Sequence, residues 1–136
     1  MEDIGGYAFQ VKTSLRFEDA ISKAVELLQT EGFGILTEID VQATLKKKLG
    51  LDYKPYRILG ACNPPFAHRT LSAVPQVGVL LPCNVVIWDE GSHRIVAAME
   101  PKVMGKIIDH QEIKSVAVEV SEKLRRVLTK LEEGNY

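Results

Sequence analysis

Asn84-Val85-Val86-Ile87-Trp88-Asp89, then Glu90-Gly91-Ser92-His93, then Arg94-Ile95-Val96-Ala97-Ala98-Met99 is the stretch on which the fold turns. Two runs rich in β-branched and aromatic residues flank a short polar turn with one glycine, which is the pattern of an antiparallel hairpin. The first run is apolar on both faces. Val86 and Trp88 oppose Val85 and Ile87, because side chains alternate across a strand. A hairpin of this kind belongs to an antiparallel sheet, and helical patterns stand on either side of it. The expectation is an α+β fold, a two-layer arrangement of a mainly antiparallel sheet with helices packed on one face, in the order β-α-β-α-β-α-β-β-β-α.

Upstream of the hairpin, residues 77–81 are apolar and read as extended. Pro82 interrupts them, so a strand end, bulge or edge is expected there. Residues 56–62, Tyr-Arg-Ile-Leu-Gly-Ala-Cys, form the preceding strand. Leu59 and Ala61 oppose Ile58 and Cys62, and Ile58 is assigned to the helix-covered face. Asn63 and Pro64 then read as a helix N-cap and first helical residue, with the Asn63 side chain taking the Phe66 N–H. That helix runs through Phe66, Ala67 and Leu71 and stops before Pro75.

Towards the N-terminus, residues 7–13 alternate strictly and predict a half-buried strand. Ser14 is a possible cap for a helix over 17–31, ended by Gly32. Residues 33–39 return to strand character, with Phe33, Ile35, Thr37 and Ile39 on one face. Asp40 stands as N-cap of a short helix carrying Leu45 and Leu49 and ended by Gly50. Towards the C-terminus the chain turns helical after Pro101. Asp109 and Glu112 resemble a capping box, and Ile113, Val116, Ala117, Val120, Leu124, Leu128 and Leu131 mark one face of a long last helix.

The composition limits function. The chain has 136 residues, with 17 Lys+Arg against 18 Asp+Glu and a net charge of −1. It reads as one domain, 1–136, with an ordinary core. Lack of a basic excess argues against nucleic-acid binding. No apolar run is long enough for a transmembrane helix, and the start MEDIGGYAFQ lacks the basic flank of a signal peptide. Two cysteines, Cys62 and Cys83, are too few for a disulfide scaffold, so a cytoplasmic protein with reduced thiols is expected.

Three stretches carry a family resemblance. They are Gly32-Phe33 through Glu38-Ile39-Asp40; Tyr56 through Cys62-Asn63-Pro64, with Ala67 after it; and Leu80-Leu81-Pro82-Cys83-Asn84-Val85. Together they resemble the domain-of-unknown-function 302 family over nearly the whole chain. The resemblance implies a two-layer α+β fold like that of the TATA-binding protein, called TT1751-like, and homodimers in some members. It implies no activity, and a shared fold is no warrant for DNA binding.

Chemistry has few places to sit. Cys62 ends a strand before a helix, where the helix dipole favours a thiolate; plain core packing is the competing reading. Cys62, Asn63 and Cys83 are the ligand-binding or redox candidates. A disulfide between the two cysteines requires their sulfurs to meet. A metal site would need Cys62, Cys83 and His68, without the usual ligand spacing, so no metal or cofactor is expected. Asn63-Pro64-Pro65 makes a poor anion cradle, since neither proline has an N–H. Lys46-Lys47-Lys48 fan around a helix, Glu38 and Asp40 are better explained as surface residue and cap, and His93 and His110 read as surface residues. No nucleotide-binding or nucleophile-elbow motif occurs. Strands that are apolar on both faces leave one face uncovered when helices pack only on the other. A second subunit would cover it, so a homodimeric module binding a small ligand or partner is the first functional expectation. A thiol-dependent redox or metal-handling protein is the alternative.

Overall fold

A computed structural model describes all residues, 1–136. The strands β1 (Glu2–Ile4), β2 (Ala8–Thr13), β3 (Gly34–Asp40), β4 (Tyr56–Cys62), β5 (Cys83–Asp89) and β6 (Arg94–Met99) form one open sheet in the order β1-β2-β6-β5-β4-β3. Every neighbouring pair is antiparallel. The helices are α1 (Phe17–Thr30), α2 (Val41–Leu49), α3 (Pro64–Ala73), α4 (Lys102–Ile107) and α5 (Gln111–Glu133). The hairpin forms as expected, with Asp89 opposite Arg94.

One sheet face carries the core. Phe9, Val11, Leu59, Val85, Ile87, Val96 and Ala98 are sealed against Ala24 and Leu28 of α1 and Val120, Leu124, Leu128 and Leu131 of α5. The α5 stripe read from the sequence is buried along its length. Burial of each large side chain contributes about 1.5–3 kcal/mol, so this stripe dominates the packing. The register fixes the opposite face as well. Ile58 pairs with Val86 and Tyr56 with Trp88; these four are half-buried, and the Tyr56 and Trp88 rings stack with centroids 5.6 Å apart.

This register corrects the expected face of β4. Leu59 and Ala61 face the helices, and Ile58 and Cys62 share the open face. Apolar residues on both faces made the alternation correct but its sign undecidable.

Three further expectations change. Residues 77–81 are not a strand: Pro75–Leu80 is a 3-10 helix. Val77 is fully buried in a small cluster with Met104 and Ile113, and Leu80 packs on that cluster, while Val79 points to solvent. Inward positions three apart suit a 3-10 turn rather than the two-residue period of a strand. Next, β1 was not foreseen. It is a three-residue edge strand, returned onto β2 through Gly5 and Gly6, both at positive φ.

Finally, β3 does not keep one phase. Ile35 lies opposite Ala61 but Thr37 lies opposite Gly60, so Leu36 is an extra residue in a β-bulge. The bulge reverses alternation: Ile35 packs on the core, while Ile39 is exposed.

Helix caps follow the sequence only in part. Asp40 Oδ1 accepts the Ala43 N–H at 2.9 Å, and Gly50 ends α2 at φ 66°. The residue capping α1 is Arg16, not Ser14, and it makes no side-chain bond. His110 rather than Asp109 caps α5, its Nδ1 accepting the Glu112 N–H at 3.1 Å. Asp109 instead accepts from Lys114 at 2.7 Å.

Candidate functional site

β4 and β5 end side by side where α3 begins. Ala61 pairs with Cys83, the first residue of β5, and Cys62 is the last residue of β4. Beyond these ends α3 and α5 do not close the gap. A cavity of about 290 Å³ remains, lined by 15 residues of which 11 are hydrophobic. Cys62, Asn63 and Cys83 all lie on its wall. The three candidates read from the sequence are thus brought to one place.

Asn63 reaches that wall by breaking the local rule. It occupies the N-cap position of α3, but its side chain makes no capping bond. Its Nδ2 donates instead to the Glu31 carbonyl at the end of α1, at 3.0 Å. Asn63 is 8% exposed, and at that depth satisfying a carbonyl of another helix outweighs a local cap. The expected bond to the Phe66 N–H is therefore absent. Gly32 at φ 88° makes the approach possible, since a Cβ there would meet Asn63 Nδ2 at 3.2 Å.

Gly60 and the Leu36 bulge shape the mouth. A Cβ on Gly60 would collide with the Thr37 hydroxyl and stand 2.8 Å from the Pro82 ring. The glycine lets Pro82, after a cis Leu81–Pro82 bond, fold over the strand. Leu36, expelled by the bulge and 67% exposed, forms part of the rim with Leu71 and Leu81.

The two thiols differ. Both are free. Cys83 is buried, which pushes its thiol up to about 11, with the nearby Cys62 charge adding to the effect. Cys62 is half-buried. Their strand positions are one residue out of register, so their side chains start on opposite faces, which disfavours a disulfide.

Other sequence candidates lie elsewhere. His68 is exposed and off the cavity wall, and nowhere do three or more His, Cys, Asp or Glu side chains cluster as a metal site would require. Glu38 and Asp40 are engaged by Arg57 at 2.7 and 3.8 Å. Lys46 pairs with Asp52.

Sequence reasoning missed much of the wall: Leu36, Thr70, Gly78, Leu81, Met104, Val116 and Val120. One signal was available. Asn63, Phe66, Ala67, Thr70 and Leu71 recur at helical spacing and form a single face of α3, which is the face on the cavity.

An open antiparallel sheet with helices sealing one face, and an apolar cavity at the strand ends, defines a small α+β domain. Residues 9–131 match the family described as "Domain of unknown function DUF302", and the chain belongs to that family. It is similar to the crystal structure of an uncharacterized conserved DUF302 protein from Bacillus stearothermophilus. The TM-score is 0.85 at 29% identity, over 92% of this chain and 98% of that one. No functionally curated protein matches the sequence. No helix is long and apolar enough to cross a membrane.

Proposed function

We propose that this chain, as one folding unit, is a non-enzymatic homodimeric module of the cytoplasm that holds a small apolar molecule in the cavity between β4, β5, α3 and α5. The observation that carries this reading is the cavity itself: about 290 Å³, with a mainly hydrophobic wall that includes Cys62, Asn63 and Cys83. Concave, largely apolar sites with few polar groups are where proteins hold small ligands. The reading assigns no nucleic-acid partner, since the net charge is −1.

A second copy is the occupant assigned to the open sheet face. Ile58, Val86 and Trp88 lie there half-buried, beside an exposed Ile39. The flanks carry charges of both signs, Glu2 and Lys12 on one side, Lys54 and Glu90 on the other. Mixed flanks and a net charge near zero let two copies meet without repulsion. Two free thiols suit a reducing compartment.

The second reading is thiol chemistry. Its support is that Cys62 and Cys83 both line one cavity and only Cys83 is buried.

The test is an NMR titration with naphthalene, a neutral probe. Shifts are expected at Ala61, Phe66, Ala67 and Val116, and Ala67→Phe, which fills the cavity from α3, should abolish them. Shifts scattered over the surface, or undiminished in the variant, would remove the pocket as the site. Sedimentation tests assembly separately, and a monomer throughout the micromolar range would refute the dimer.

A further inference from the structure

We infer that the cavity selects an uncharged ring carrying one hydrogen-bond donor, such as a phenol or an indole, and that Asn63 Oδ1 receives that donor. This rests on the cavity being the ligand site. The inference comes from how the polar groups of the wall are already committed.

The wall contains no Lys, Arg, His, Asp or Glu. A carboxylate or ammonium entering it would shed water with no counter-charge in return. The two most buried polar side chains on the wall are Asn63 and Thr70, 8% and 2% exposed. Glu31 contributes a carbonyl, which can only accept, so the Asn63 nitrogen must face it. The amide oxygen is thereby turned away from Glu31, and no protein donor reaches it. The Thr70 hydroxyl gives its hydrogen to the Ala67 carbonyl at 3.0 Å, which leaves its oxygen as an acceptor. Both buried side chains therefore offer acceptors. The thiols of Cys62 and Cys83 are only weak hydrogen-bonding groups. Phe66, Met104, Val116 and Val120 supply the apolar surface that a ring would cover.

A ligand with an O–H or N–H would give Asn63 Oδ1 the donor that no protein group supplies. An ether of the same shape would leave that oxygen buried and unpaired, and such mismatches discriminate more strongly than added apolar area.

Four probes of nearly one shape decide the matter: 1-naphthol, 1-methoxynaphthalene, naphthalene and 1-naphthoate, each titrated into the unmodified protein by NMR. The naphthol should bind about fivefold tighter than its methyl ether, in line with one net hydrogen bond. It should also move the Asn63 side-chain NH2 resonances, and naphthoate should bind weakest. Thr70→Val, which keeps the side-chain shape, should leave the naphthol advantage in place, and its loss there would overturn Asn63 as the acceptor. Equal affinity for naphthol and ether, or a preference for naphthoate, would overturn donor selection while leaving the pocket as a binding site. Failure of all four to shift the wall residues would overturn the pocket reading itself, and this inference with it.

Discussion

Two strand-to-helix junctions in this chain each place an Asp or Asn at the helix N-cap and end differently. At the first, β3 runs into α2 through Asp40; at the second, β4 runs into α3 through Asn63. Asp40 sits near the surface and caps its own helix at 2.9 Å. Asn63 is buried and spends its amide on α1, 3.0 Å away. Local preference decides where water is at hand to satisfy whatever is left over. In the interior an unpaired carbonyl costs more than a missing cap, so the tertiary demand prevails. The junction that breaks the rule is the one that borders the cavity.

The largest expected difference between the junctions lies in the thiols at the second. With the Cys83 thiol pushed up to about 11 from its ordinary 9.0, its thiolate fraction at neutral pH falls about a hundredfold, and so does its alkylation rate before any steric exclusion. Iodoacetamide labelling followed by peptide mapping should therefore find Cys62 modified long before Cys83. Simultaneous labelling would mean that the junction opens as a unit.

The same burial predicts an alkaline weakness. The folded state holds the Cys83 proton more tightly than the unfolded chain does. Its contribution is fully present below about pH 9 and is lost as pH rises towards about 11. The loss should be about 2–3 kcal/mol, and urea titrations of the native protein and Cys83→Ala should diverge in this window. Parallel curves would show that the thiolate is accommodated.

Asn63→Ala should cost about 2 kcal/mol, because it strands the Glu31 carbonyl as well as removing a bond. Asp40→Ala should cost about 1 kcal/mol, and Asp40→Asn only a few tenths, since its amide oxygen still caps. Denaturation midpoints measure all three. If Asp40→Ala proved the costlier, the contrast between the junctions would be reversed. If Asp40→Asn cost as much as Asp40→Ala, the Arg57 pairing rather than the cap would be carrying the stability.

The sequence made some of this legible, for physical reasons. The hairpin, the α5 stripe and the Asp40 cap depend on residues close in the chain, and their patterns could be read directly. Which side of β4 meets the helices could not be, because both faces are apolar and only the register with β5 breaks the tie. The Leu36 bulge left no mark, since one extra residue in an apolar strand looks like continued alternation. At the site, Cys62, Asn63 and Cys83 stood out as residue types. The rest of the wall comes from α3, α4, α5, the rim of β3, the end of β4, the 3-10 segment and Leu81-Pro82, and its assembly is a property of packing.

The Leu36 bulge has a second consequence, at the level of assembly. β3 is an edge of the sheet, and the other edge, β1, is three residues long. A straight edge strand invites another chain to extend the sheet without limit. Here one edge is broken in register and carries Glu38 beside the break, and the other is too short to template much. Growth by edge addition is discouraged at both ends. Any self-association is left to the faces, where a two-fold pairing closes on itself and stops. The residue at the rim of the cavity thus also breaks the edge that another copy would extend.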